Sequence, residues 1–543
     1  MERLQKDRKT LQLLVNVAAL GVVLILSAGC YRSSAVLEGE DGQQDTTADS
    51  ATLSEAGTET EDTDPPYESI FPIDWETPVY IKASSSQQFF RFGQSISISG
   101  NTMVVGSDGD NGLPPASSWS SDEYVTDVGA AYVFSRNESG QWQEDFYLKG
   151  GNSDPEDFFG WSVAVDGSIV VVGAPEEDSA ATGVNGDGQN NDAPSAGAAY
   201  IFERWNGEWQ QRAYVKASNA QAGDRFGWSV NIHDERIAIS AIGEAGSISG
   251  VNSSQHDNNA VEAGAVYIFE KQNEQWTQTA YLKASNVDAY DYFGYALSLE
   301  GTRLAVGAHG EQSSAQGIDG DQTNNSMNGA GAVYIFELLN GGWQQTAYIK
   351  ASNSGAEDGF GSALDFSEDT LVVGAQQEDS SSVGVNENGY NDYATFSGAV
   401  YVFQRADSGW TQAAYLKAAN TDPYDLFGCD VAVDGHLLAV GAYGESSSAF
   451  EIDGAAFDNE SESSGAVYLF ERLNDGWRQQ AYIKAFNNDL EDYFGISLDL
   501  SGSILAVGAT GEDTPADGIT ENPPDRQDEH SSGAVYVYSL STQ

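Results

Sequence analysis

Two acidic positions recur along the chain at a constant distance from one another. Asp stands at Asp157, Asp224, Asp291, Asp358, Asp425 and Asp492, and Glu follows 20 residues later at Glu177, Glu244, Glu311, Glu378, Glu445 and Glu512. Paired carboxylates can serve as general acid and base, or offer hard oxygen ligands to a cation such as calcium. Six near-identical copies argue against catalysis, because an active site is normally single. Two readings stay open: a cation rim, or a repeated structural role in which each Asp accepts backbone N–H groups or pairs with a recurring Lys. A second set of oxygens recurs at i, i+2 and i+6: Asn185/Asp187/Asn191, Asp319/Asp321/Asn325 and Asn386/Asn388/Asp392, with weaker copies at Asn252/Ser254/Asn258 and Asp453/Ala455/Asn459. Oxygens at alternate positions around a Gly turn are the pattern of calcium loops, and Asn, Asp and Gly also build turns without metal. Calcium is therefore the one cofactor these residues suggest.

Other chemistry is poorly represented. The five His (His233, His256, His309, His436, His530) share no register, and there is no His-x-x-x-His pair, Gly-x-Ser-x-Gly elbow or phosphate loop. Cys429 reads as a small buried strand residue. Of the 11 Trp, seven share one register and read as packing residues, whereas Trp119, in the unusual segment Pro114–Trp119, is the better candidate for a ligand contact. The expectation is a protein that is not an enzyme. The 82 Asp+Glu against 24 Lys+Arg give a net charge of −58, which repels phosphate backbones and excludes nucleic acid as a partner.

The N-terminus carries an address. Arg3, Lys6, Arg8 and Lys9 precede the apolar stretch Leu11–Leu26, which ends Ser27-Ala28-Gly29-Cys30. A basic start, a short apolar run and small residues before a cut site make a signal peptide rather than a membrane span. The ending resembles the lipobox of bacterial lipoproteins. That resemblance implies cleavage after residue 29, lipid on Cys30, and, with Tyr31 next, an outer-membrane or cell-surface location in the bacterial envelope, the membrane being met only through the anchor. Residues 30–70 are acidic and of low complexity, so they should not fold. They read as a tether with a span of roughly 35 Å.

The elements that must position these groups come from one unit repeated seven times. Phe-Gly recurs at Phe92, Phe159, Phe226, Phe293, Phe360, Phe427 and Phe494, always 67 residues apart. Trp75 to Trp477 and the Lys of Tyr-x-Lys, Lys82 to Lys484, keep the same step. Within each unit, alternating and continuous β-branched runs separated by turn residues predict four strands and no helix. In the second unit, Asn206-Gly207 marks a hairpin and a loop of about 22 residues joins strands 2 and 3. Four antiparallel strands repeated seven times predict an all-β, seven-bladed β-propeller over residues 71–543. The last unit lacks its Trp strand, and Trp75–Ser84 has no earlier strand to join. The N-terminal strand should therefore complete the last blade and close the ring. In that topology the 4→1 and 2→3 connections, with their recurring acids, share one face.

Phe-Gly, Gly173-Ala174-Pro175 and Gly-Ala-Val-Tyr resemble the FG-GAP repeat of integrin α-subunits and of bacterial secreted proteins. The resemblance implies a binding protein using its loop-rich acidic face, adhesion-like, with a protein or polysaccharide ligand of unknown identity. Two alternatives stand beside it: a polysaccharide-binding or polysaccharide-degrading propeller, and a structural subunit of the envelope. The polysaccharide reading needs a blade-specific cluster of aromatics and acids, and the first blade alone departs enough in sequence to offer one. The integrin calcium ligands do not transfer, because the turn that would carry them is short here, as at Asp166-Gly167-Ser168.

Overall fold

Each 67-residue unit folds as one sheet because its apolar runs have nowhere to go but against the next unit. In the second blade the strands are Ser162–Asp166, Ile169–Ala174, Ala198–Trp205 and Glu208–Val215, paired antiparallel in sequence order. The second strand, Ile-Val-Val-Val-Gly-Ala, is buried along its whole length, as expected where both sheet faces are covered. Seven such sheets form a ring in the computed structural model, which describes residues 74–84, 87–112, 126–474, 476–515, 518–520 and 531–541. All regular elements among these residues are strands, and no helix among them is long and apolar enough to cross a membrane. The signal segment, the tether, Cys30, Trp119 and His530 lie outside the described residues.

The core lies between blades. One apolar cluster joins Val171, Ile201 and Val215 of the second blade to Phe226, Ile237 and Trp276 of the third, and the same arrangement recurs around the ring. The register Trp residues from Trp142 to Trp477 are buried, so they pack blades, as their spacing suggested. Phe159 of Phe-Gly meets Tyr200 and Phe202 edge-on, at 5.1 and 6.2 Å between ring centres. Its glycine answers to a different constraint. Gly160 has φ +94°, and a Cβ there would stand 2.1 Å from the Ala130 carbonyl oxygen of the previous blade. Gly173 faces the same restriction, with Gly227 O of the next blade at 2.1 Å from a Cβ. The two motif glycines are thus the points where neighbouring blades touch backbone to backbone.

Closure follows the expected route, with one local difference. The predicted strand over Trp75–Ser84 forms as two short pieces, Asp74–Trp75 and Val79–Ile81, both on the last strand, Ala534–Ser541. The interruption contains Pro78. Every other fourth strand carries a register shift at the equivalent position, such as Arg212 between Gln211 and Ala213. Proline, which lacks a ladder donor, occupies the one place in the strand where the ladder is already broken. A further cluster joins Ile81, Ile504 and Val537 to Phe92 and Met103, and Ile98 N donates to Asp499 at 2.6 Å, so the last blade packs on the first.

Candidate functional site

Gly160 N donates to Gly173 O at 3.0 Å, which sets the start of strand 1 beside the end of strand 2. The 4→1 and 2→3 connections therefore share a face. The recurring acids sit beneath that face and are buried. Each Asp accepts the backbone N–H three residues earlier: Asp157 from Asp154, Asp224 from Gln221, Asp291 from Asp288, Asp358 from Gly355, Asp425 from Asp422 and Asp492 from Asp489, at 2.6–2.9 Å. The recurring Lys does not pair with these Asp residues. It pairs with the Glu: Lys216–Glu177, Lys283–Glu244, Lys350–Glu311, Lys417–Glu378, Lys484–Glu445 and Lys82–Glu512, at 2.6–3.0 Å.

The same Glu gathers neutral donors. Glu311 accepts the Tyr348 hydroxyl at 2.9 Å and Asn286 Nδ2 at 3.0 Å, and Asn286 in turn accepts the Tyr334 hydroxyl at 2.7 Å. Asn286 belongs to the connection entering the blade, so each network clamps a loop to two strands. The Asn series (Asn152, Asn219, Asn286, Asn353, Asn420, Asn487) keeps the 67-residue step and was readable from that step alone. So was the first-blade member, Asp110, which bonds Lys149 at 3.1 Å and the Tyr132 and Tyr147 hydroxyls at 2.7 and 2.9 Å. A shorter acid there is compensated by a direct bond from Tyr132.

The Asx residues shape the long loops. Asn185, Asp319 and Asn386 have φ of 51–59° and accept the backbone N–H of Tyr214, Tyr348 and Tyr415 at 3.0 Å, pinning the loop to the outer strand. Asp187, Asp321 and Asn388 accept the N–H two residues on, at 3.0–3.1 Å, as Asx turns do. Asn191 Nδ2 donates to Asp154 at 3.1 Å, while Asn325 and Asp392 are exposed. The members of each triad hold different parts of the loop. Among the described residues no group of three or more His, Cys, Asp or Glu is arranged to hold a metal ion.

The buried acids make stability depend on pH. Burial, with the neighbouring Glu adding to it, pushes Asp291 and Asp425 up to about 8 and Asp492 up to about 9. Strand-1 acids respond to burial in the same way, Asp430 rising to about 7 and Asp499 to about 6. A carboxyl whose folded value is raised binds its proton more tightly in the fold than in the unfolded chain. Its stabilising contribution is complete below the unfolded value and lost as pH rises through the folded one. The melting temperature should therefore fall by several degrees from pH 6 to pH 9, measured by differential scanning calorimetry. A constant or rising value across that range would refute it.

The surface of this face is not seven-fold. Strand 1 opens, just after Phe-Gly, with Gln94, Trp161, Trp228, Tyr295, Ser362, Cys429 and Ile496 in successive blades. Trp161 and Trp228 lie 4.9 Å apart between ring centres, and Trp228 and Tyr295 5.7 Å apart. With Gln94, Ser229, Ser362 and Asp430 they line a cavity of about 280 Å³ at the mouth of the central channel. A second cavity of about 280 Å³ lies between the fourth and fifth blades, lined by Tyr290, Tyr292, His309, Gln312, Glu357 and Phe396 among others. Cys429 lines neither cavity, and burial pushes its thiol up to about 12.

Seven matches to the model of the FG-GAP repeat cover residues 75–134, 142–202, 209–269, 276–336, 343–403, 410–470 and 477–538. The chain belongs to the FG-GAP repeat family. The matched units coincide with the blades counted from strand 4 of one sheet to strand 3 of the next, so the family's unit is offset from the sheet by one strand. No curated protein matches the chain. In this FG-GAP propeller the motif residues are scaffold, and the loop face carries positions that differ from blade to blade, such as the residue just after Phe-Gly.

Proposed function

We propose that this protein is a non-catalytic, surface-displayed binding protein that engages a macromolecular ligand through the loop-rich face, in an adhesion-like role. One observation carries the reading. The exposed large apolar side chains of the described residues, all but Tyr147, Trp205 and Leu339, lie in the 4→1 and 2→3 connections. They include Tyr390, Tyr393, Phe450 and Phe457, with Tyr393 and Phe457 each 85 % exposed. Concentration of such surface on one side marks an interaction face. Lipid on Cys30 would fix the chain to the bacterial envelope, and the residues between the anchor and the first strand would hold the face away from the membrane. Calcium belongs to the proposal through the acidic loops of this face.

The test compares cells displaying variants of the full chain for attachment to surfaces coated with matrix polymer. Tyr393→Arg with Phe457→Arg should abolish attachment, and Trp205→Arg on the opposite face should leave it unchanged. Equal loss from both faces would overturn the assignment of the face. Attachment in EDTA reports on the calcium element, and Cys30→Ser should release the chain into the soluble fraction.

A further inference from the structure

The two cavities on the loop face share a wall. Tyr295 lines the channel mouth, the His309 ring lies 3.9 Å from it between ring centres, and Tyr292 stacks on His309 at 5.1 Å and 24°. Trp161, Trp228, Tyr295, His309 and Tyr292 therefore form one row of rings, with steps of 3.9–5.7 Å, running from the channel mouth to the cavity between the fourth and fifth blades. Polar groups without protein partners border its far end. The side chains of Gln312, Asn328 and Gln377 line the cavity with no hydrogen bond among the described residues, nor has Glu357 one, and His309 Nδ1 is buried and unpaired. Burial holds the His309 imidazole neutral, its pKa lowered to about 4.

Trp161, Trp228 and Tyr295 share one register position, but the other four blades carry no aromatic residue there, and His309 has no counterpart. The positions equivalent to His309 are Asp108, Pro175, Ile242, Gln376, Tyr443 and Thr510. Packing positions in the same blades are nearly identical, so scaffolding does not account for the row. The sequence pointed to the first blade for a cluster of this kind, and the loop that would carry it, residues 113–125, lies outside the described residues; the row runs from the second blade to the cavity between the fourth and fifth, with Gln94 of the first blade at its channel end.

We propose that this row is the binding site for an extended, uncharged polysaccharide segment. This rests on the binding role of the loop face and names its ligand class. Ring faces take the C–H surfaces of sugars, while free amides and a lone carboxylate take hydroxyl groups, acting as donors and acceptors at once. The elongated row spans two cavities, which suits a chain rather than a compact ligand. A polyanionic glycan is disfavoured by Asp430 and Glu357 in the linings and by the net charge of −58.

The experiment titrates cellohexaose, xylohexaose, mannohexaose and chitohexaose into the full chain in detergent. Calorimetry and tryptophan fluorescence are the readouts, with polygalacturonate as the anionic control. At least one neutral hexasaccharide should bind and quench fluorescence, and polygalacturonate should not. Trp228→Ala should weaken binding by about tenfold or more. Tyr290→Ala, which alters an exposed side chain of the same cavity, should weaken binding with an unchanged melting temperature, and serves where Trp228→Ala is unstable. Absence of binding by all four neutral probes, or binding indifferent to both substitutions, overturns the proposal. If the glycans fail while Tyr393→Arg with Phe457→Arg still abolishes attachment, the loop face stands as a binding surface and its ligand is of another class.

Discussion

A chain starting at residue 87 should lose cooperative melting and form soluble aggregates, whereas one starting at residue 71 should melt as the full chain does. The difference of 16 residues contains both pieces of the closing strand. Without them, Ala534–Ser541 becomes an open edge with unpaired backbone groups, a template for joining another chain. The loss goes beyond hydrogen bonds. Tyr80 packs edge-on against Tyr536 at 5.4 Å, and Trp75 against Tyr538 at 6.0 Å. Glu512 also loses the Lys82 ammonium at 2.8 Å and the Tyr80 hydroxyl at 2.7 Å, leaving a carboxylate 2 % exposed with little to balance it. Size-exclusion chromatography with light scattering, together with thermal melting, decides the matter. A monomer from residue 87 that melts cooperatively near the full-length temperature would show that the ring does not depend on this strand. Restored solubility on adding a peptide of residues 71–86 would support the strand as the specific closing element.

Glu311→Ala should destabilise the propeller by about 3–5 kcal/mol, the range for removing one partner of a buried ion pair. Lys350 and Glu311 are 0 % and 1 % exposed, so no water replaces the lost carboxylate. The substitution strands an ammonium whose pKa burial already lowers, along with the Tyr348 hydroxyl and an Asn286 N–H. Substitutions that keep part of the network should rank in order. Glu311→Gln keeps the neutral hydrogen bonds and leaves the charge unbalanced. Glu311→Asp keeps the charge, and the first blade shows that Asp110 can hold the equivalent Lys149 and Tyr147. Asp should therefore cost least and Ala most, read as shifts in thermal and denaturant midpoints. A loss below about 1 kcal/mol for Ala would mean the pair is exchangeable for solvent, as surface pairs are.

These two results probe different layers of the protein, and the layers were not equally readable. The strand pattern is local. Runs such as Ile169–Ala174 and the hairpin at Asn206-Gly207 declare themselves within a few residues, and the 67-residue step multiplies each weak signal by seven. Closure was also readable, because a unit lacking one strand and a strand lacking its unit can satisfy both edges in only one way. The break at Pro78 was not: the sequence predicted one strand over Trp75–Ser84, and the register shift that the proline occupies is seen only in the fold.

Partner choice among the acids was not local. Asp and Glu both recur at one spacing, and both lie within reach of Lys in a schematic blade. In the fold the Glu at the end of strand 2 and the Lys at the end of strand 4, 39 residues on, face one another across strand 3, while the Asp is occupied by its own turn three residues back. The aromatic row was further from view. Trp161, Trp228 and Tyr295 share a register, but His309, Gln377 and Phe396 join them only because neighbouring blades bring a strand end, a long loop and an entry turn to one rim. The sequence alone determined the number of blades, their strands and the way the ring shuts, because periodic burial and turn chemistry act over short distances. Only the tertiary structure decided which buried charges meet and which surface groups share a cavity, because those contacts depend on how one sheet is set against the next.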